Sequence, residues 1–315
     1  MKTKSVFFLF LSFLLFSGFQ LSCSEEKTWD NLIKNGRKAF FENPTLAESY
    51  YIQALQKAQE IPNNDQQLEA TFFKLGMLYQ YKGNFSKSEL YYGKALVLKE
   101  KESGPDSSSV ATTLNNLAAV HIRQGNLAKG QMLLDRGLAI WSKLEDLNNR
   151  VAVTSLTLQA IVFRDEGKFR ESEQYFQQAL DLSQTVKGVD RGLLLDHWGV
   201  LYERQGKTKE AEDLYKQAIQ FHEDSYGPEN SELAKSLTFL GSLQVKQGEL
   251  EKAEANLKKA INIQETIFGE AHPDLIITLE NYGKLLGLQQ QNKQVANVEA
   301  RIESMRSILV DESEK

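Results

Sequence analysis

A glycine followed five residues later by a small residue, and twelve later by another, recurs along this chain. The five occurrences are Gly83–Ser88–Ala95, Gly125–Gly130–Gly137, Gly167–Ser172–Ala179, Gly206–Ala211–Ala218 and Gly248–Ala253–Ala260. Successive glycines lie 42, 42, 39 and 42 residues apart. A fixed period of that size means a stack of like units, because one such unit cannot bury its apolar face alone. A stack offers a long surface rather than one reactive pocket, which points to binding rather than to chemistry.

Within residues 108–148, Leu114, Leu117, Ala118 and His121 fall at helical spacing, Gly125-Asn126 interrupts, and Leu127, Leu134, Leu138 and Trp141 resume the pattern. That spacing predicts two amphipathic helices joined by a tight turn, with the glycine supplying the left-handed residue that ends the first. The pattern extends to an eroded unit at about 27–64 and a last one at about 273–310, where Gln290, Val295 and Ile302 replace the turn glycine and both small residues. The expectation is an all-α solenoid of about seven antiparallel helix pairs over residues 30–310, followed by a polar tail at 311–315. Between Gly188 and Gly199 there are 11 residues where other units have 14, so one linker or first helix is shorter there. Alanine is expected to fit, and to stabilise, at Gly130 and Gly137, where other units carry Ala or Ser.

Phe72-Leu75-Gly76-Tyr79 with Ser88, Tyr92 and Ala95, and Leu195-Trp198-Gly199-Tyr202 with Ala211, Tyr215 and Ala218, resemble the tetratricopeptide repeat. The 42-residue unit, Leu114-Asn115-Asn116-Leu117-Ala118 and the linker Phe268-Gly269-Glu270-Ala271-His272-Pro273 are similar to its kinesin-light-chain subtype. The resemblance implies a right-handed superhelix whose first helices line a concave groove that binds a protein or peptide. Carried onto this sequence, it places Lys74, Asn116, Leu158, His197, Phe239 and Asn281 on the inward face, with Arg123, Asp165, Arg204 and Lys246 further along the stripe. Asn116 and Asn281 match the family's groove asparagines, whose amides both donate to and accept from a peptide backbone. Either is expected to be replaceable by alanine without loss of stability.

The N-terminus is similar to a bacterial lipoprotein signal. Lys2 and Lys4 precede an apolar run from Val6 to Phe19 and then Gln20-Leu21-Ser22-Cys23, and the run is short for a membrane span. Residues 1–22 read as the signal, Cys23 as the lipidated first residue of the mature chain, and 23–29 as a tether. Gln20 stands where the family has leucine. Cys23 is the sole cysteine, which rules out an intramolecular disulfide. An anchor with two or more acyl chains would hold the protein at a cell-envelope membrane, inner or outer. Without such processing the product would be periplasmic or secreted.

The net charge of −5 lacks the basic footprint of a nucleic-acid binder. The four histidines, His121, His197, His222 and His272, show no metal-ligand spacing, and no phosphate loop or nucleophile elbow occurs. His121 reads as a packing residue and His272 as a turn residue. No cofactor or metal is expected. The reading is an exported, lipid-anchored interaction scaffold and not an enzyme. Its alternatives are an envelope assembly factor using the convex face or edges, and an accessory enzyme or small-ligand sensor.

Overall fold

The structure, a computed structural model, describes residues 28–41, 43–144, 150–186, 188–269 and 271–314. Among them the chain forms fourteen helices and no strand. The first helices of the seven units are α1 (Trp29–Ala39), α3 (Asp65–Tyr81), α5 (Ser108–Arg123), α7 (Arg150–Asp165), α9 (Arg191–Arg204), α11 (Ser231–Gln247) and α13 (Pro273–Leu288). The second helices are α2 (Pro44–Glu60), α4 (Phe85–Ser103), α6 (Leu127–Lys143), α8 (Phe169–Thr185), α10 (Thr208–Tyr226), α12 (Leu250–Phe268) and α14 (Asn292–Glu314). Each first helix packs on its own second helix, and from α3 to α13 successive first helices also pack on one another. The result is an all-α solenoid of seven helix pairs. α1 begins at Trp29, and α14 runs past residue 310, the boundary read from the sequence, to Glu314.

From the second unit on, the turn inside the unit is closed by one recurring bond. The residue after the left-handed one donates back five positions, as in Asn126 N–H to the His121 carbonyl (2.8 Å) and Lys168 N–H to the Phe163 carbonyl (2.8 Å). This is the Schellman arrangement, which needs a left-handed residue between, and Gly125 supplies it at φ 78°. In the seventh unit Gln290 takes the same place at φ 60°, a conformation that costs a non-glycine residue roughly 1–2 kcal/mol. Most of the shortening in the 39-residue spacing falls on α9, which has 14 residues against 16 in α7 and 17 in α11.

Inside each pair the core follows a size rule. A small residue on the first helix faces a large one on the second: Gly36 opposite Tyr51, Gly76 opposite Tyr92, Gly199 opposite Tyr215 and Gly241 opposite Leu257. All four large side chains are fully buried. A Cβ on Gly76 would sit 2.7 Å from Tyr92 Cδ1, so the tyrosine ring fills the volume that the glycine leaves. The corresponding positions of the third and fourth units hold Ala118 with Leu134 and Ala160 with Phe176, which share one apolar cluster. Interior density of this kind leaves no slack for a methyl group.

The same test corrects the expectation for the third unit. A Cβ at Gly130 would lie 2.9 Å from Ile122 Cγ1, the branched and stiff part of that side chain. One at Gly137 would lie 3.1 Å from Asn115 Oδ1. The Asn115 amide cannot swing away, because it donates to the Val151 carbonyl (3.0 Å) and to Ser155 Oγ (2.5 Å) on α7. These glycines therefore serve close helix contact. Gly130→Ala and Gly137→Ala are each expected to lower the urea midpoint, by about 1 kcal/mol or more of overpacking beyond the helix-propensity gain.

Candidate functional site, the inner wall

The odd-numbered helices α3 to α13 stand side by side and form one wall. That wall curves until its ends meet: Arg123 at the end of α5 pairs with Asp274 at the start of α13, four units further on. His272 reaches the carbonyl of Tyr81, at the end of α3, at 2.8 Å. The contacts that close the curve are made by residues at the ends of first helices. The odd helices thus line the concave side.

His197 stands near the middle of the wall. The Arg164 guanidinium lies 3.2 Å from its Nδ1 and can only donate, so Nδ1 accepts and the ring proton sits on Nε2. That Nε2–H has no partner among the described residues. Burial, reinforced by the positive charges of Arg164, Arg123 and Lys235, holds the imidazole well below its ordinary pKa and keeps it neutral. Phe239 meets it edge-on at 6.1 Å and stacks behind on Tyr215 at 5.7 Å. The carboxylates of Glu232 and Asp274 outweigh the effect of burial on Lys235 and hold its ammonium up at about 12.

Of the stripe residues, Arg204 is paired with Asp165 (2.9 Å), Lys246 with Glu203 and Arg123 with Asp274. Asn281 is engaged too: its Oδ1 accepts from Ser242 (3.1 Å) and its Nδ2 donates to the Ile277 carbonyl (3.0 Å). The expectation that Asn281 can be truncated without loss of stability fails on these bonds. Leu158 and Ile161 are 7% and 4% exposed and belong to the core cluster. Lys74 and Asn116 remain. Among the described residues Lys74 has no ion pair, since nearby Glu69 is taken by Lys99 at 2.6 Å. Burial, then Arg37, lowers its pKa. The Asn116 side-chain amide likewise has no hydrogen-bond partner among the described residues. Cys23 lies outside the described residues.

Sequence reading passed over two features. One is His272, which is the N-cap of α13 as well as a contact across the curve. The other is a relay of Asp190, His222 and Ser236, with His222 Nε2 3.1 Å from Asp190 Oδ1 and Nδ1 3.0 Å from Ser236 Oγ. It has the residue types of a hydrolytic triad. The serine, however, is fully buried and its hydroxyl is held by Asp196 at 2.6 Å, so no substrate reaches it and the relay is structural. His121 is buried in the core, as a packing residue would be.

Family models described as tetratricopeptide repeat match residues 74–109, 109–185 and 190–266. The chain belongs to the tetratricopeptide repeat family. A tetratricopeptide repeat-containing protein of Dictyostelium discoideum is 28% identical over 130 residues, 40% of this chain, and this chain spans 8% of that protein's length. Among solved structures, NprR in complex with its cognate peptide NprX superposes with a TM-score of 0.68 at 16% identity, covering 90% of this chain and 81% of that one. A Rap protein complexed with competence and sporulation factor gives 0.66 at 14% identity, covering 90% and 86%. At these identities the likeness is one of fold. This tetratricopeptide repeat chain shares with both a solenoid of comparable extent.

Proposed function

We propose that this protein is an exported, lipid-anchored interaction scaffold whose inner wall binds an extended peptide segment of a partner protein, and that its 42-residue units are of the kinesin-light-chain kind. The observation that carries the binding reading is a pair of unspent polar groups on the wall, the Asn116 amide and the His197 Nε2–H, with the Lys74 ammonium beside them free of any ion pair and held only by a long contact to Met77 Sδ at 3.9 Å. They stand on α5, α9 and α3, while Arg123, Arg204 and Lys246 of the same stripe are paired within the protein. A peptide backbone offers alternating carbonyls and N–H groups, which an amide answers in both senses. NprR, with the same fold, is solved in complex with its cognate peptide, and Rap in complex with competence and sporulation factor. The anchor rests on the signal-like residues 1–22 and on Cys23.

The test is a crosslinking pull-down from intact cells, followed by titration of the captured partner segment. Asn116→Ala is expected to weaken that segment by about 1–2 kcal/mol, roughly 5- to 30-fold, with an unchanged melting temperature. Equal binding by the variant would remove the groove reading. The same cells carrying Cys23→Ala should release the protein into the soluble fraction, and retention at the membrane would remove the anchor.

One observation favours a second reading, an assembly factor that works through its outer face. Leu90 and Val97 on α4 and Met132 on α6 are exposed apolar side chains, with Met132 one 42-residue period after Leu90. In that case the pull-down returns a multi-subunit complex that is indifferent to Asn116→Ala and lost on charging Met132.

A further inference from the structure

The place where the wall closes on itself is unlike the other contacts between units. Neighbouring units meet through apolar clusters, such as the one joining Leu134, Phe176 and Trp198. Across the closure there are a few point contacts. His272 Nδ1 accepts from the Asp274 N–H at 3.0 Å, so the ring proton sits on Nε2 and is donated to the Tyr81 carbonyl 2.8 Å away. Phe268 stacks on His272 at 3.6 Å and meets Tyr81 edge-on at 5.3 Å. Pro273 lies against Gly83, where any Cβ would overlap its ring. Asp274 pairs with Arg123 and lies 3.6 Å from Lys235.

We propose that the first turn of α13 is a clasp that holds the superhelix at one closed turn, and that releasing it widens the inner channel to admit the ligand. The clasp itself stands apart from the peptide-binding reading; the admission step rests on it.

Three observations converge on this. Between Asn116 and His197 the inward stripe carries Leu158 and Ile161, which are packed into the core cluster and are not free to move aside. A segment laid from Asn116 to His197 must pass them. Release is also cheap relative to unfolding. Arg123 is 41% exposed, and ion pairs that open to water contribute little. Asp274 keeps Lys235 when Arg123 leaves, so no buried charge is orphaned, and each unit keeps both neighbours, on which a solenoid's stability rests. Finally, the clasp and the site share a cation. Arg123 and Lys235 both bear on the His197 imidazole, so an acceptor group bound there competes with Asp274 for the charge that closes the ring.

The experiment uses the whole chain with Cys23→Ser and Asn116→Cys, so that one thiol reports on the inner wall. Into it go His272→Asn, which keeps a capping oxygen for α13 but is too short to reach Tyr81, and Arg123→Gln. Small-angle scattering should show the radius of gyration rising by roughly 1 Å or more. Labelling at Asn116→Cys by a maleimide on a polyethylene glycol chain of about 5 kDa should become at least about tenfold faster, while N-ethylmaleimide reacts at the same rate as before. An unchanged radius overturns the clasp. A larger radius with unchanged bulky labelling overturns the admission step alone. Equal acceleration of both reagents means general loosening and also overturns the clasp. No peptide is used, so these outcomes do not depend on whether a partner answers to Asn116.

Discussion

Gly76→Ala is expected to remove about 1–2 kcal/mol of stability, although alanine is the better helix former. The helix-propensity term favours the substitution by roughly 1 kcal/mol. Against it, the new methyl would lie 2.7–2.9 Å from Cδ1, Cγ and Cε1 of Tyr92. That ring has nowhere to go. It is 1% exposed, its hydroxyl donates to Gln80 at 3.0 Å, and Phe73 meets it edge-on at 5.5 Å. Overpacking a filled core costs about 1–3 kcal/mol or more, which outweighs the propensity gain. Adding Tyr92→Leu recreates the Ala118–Leu134 pairing of the next unit and should recover at least about 1 kcal/mol, a coupling that a double-mutant cycle reads directly. Gly283→Ala is the control. Its nearest neighbour would be Val298 Cγ1 at an ordinary 3.7 Å, so it should gain about 0.5–1 kcal/mol. Urea midpoints for the four variants decide the matter. Loss at Gly283 equal to that at Gly76 would show that the size rule is not what sets these glycines.

This size rule is also where the sequence was most legible. Leu75-Gly76 with Tyr92, and Trp198-Gly199 with Tyr215, recur at one spacing because the same two helices must meet at the same depth in every unit. Period and residue size therefore carry the information together. The number of units, the turn glycines and the inward stripe follow from that local rule. Ring closure does not. It depends on a small rotation summed over five junctions, and no residue near His272 or Tyr81 advertises a partner 191 positions away. For the same reason Arg123 read as a groove residue, with nothing in the sequence to mark Asp274 as its partner. Gly130 and Gly137 misled for a different cause: their register was right, but Ile122 and Asn115 take up the room that other units leave. At Asn281 the neighbouring helix supplies Ser242, a partner visible only once α11 and α13 are laid side by side.

Asp196→Asn should stabilise the protein at neutral pH and flatten its pH dependence. Asp196 is on α9, buried against α11. One carboxyl oxygen is 2.6 Å from Ser236 Oγ, and the other has no partner. Burial pushes its pKa well above the carboxylate range; Ser236 and Lys235 pull it back only in part, while Glu232 and Asp190 push it further up. The native state therefore holds a proton that the unfolded chain gives up at about pH 4. Stability linked to that proton is complete below the unfolded value and declines as pH rises from there toward the native one. An amide removes the titration, keeps an oxygen to accept from the Ser236 hydroxyl, and leaves the neighbouring bond between His222 and Asp190 in place. The expected gain at pH 7 is roughly 1–3 kcal/mol, the range for relieving an unsatisfied buried polar group, shrinking toward zero near pH 4. Chemical unfolding of both proteins across pH 4–8 provides the comparison. A wild type whose stability is flat over that range, with an asparagine variant weaker throughout, would mean that the native carboxylate is charged and held by Ser236 and Lys235.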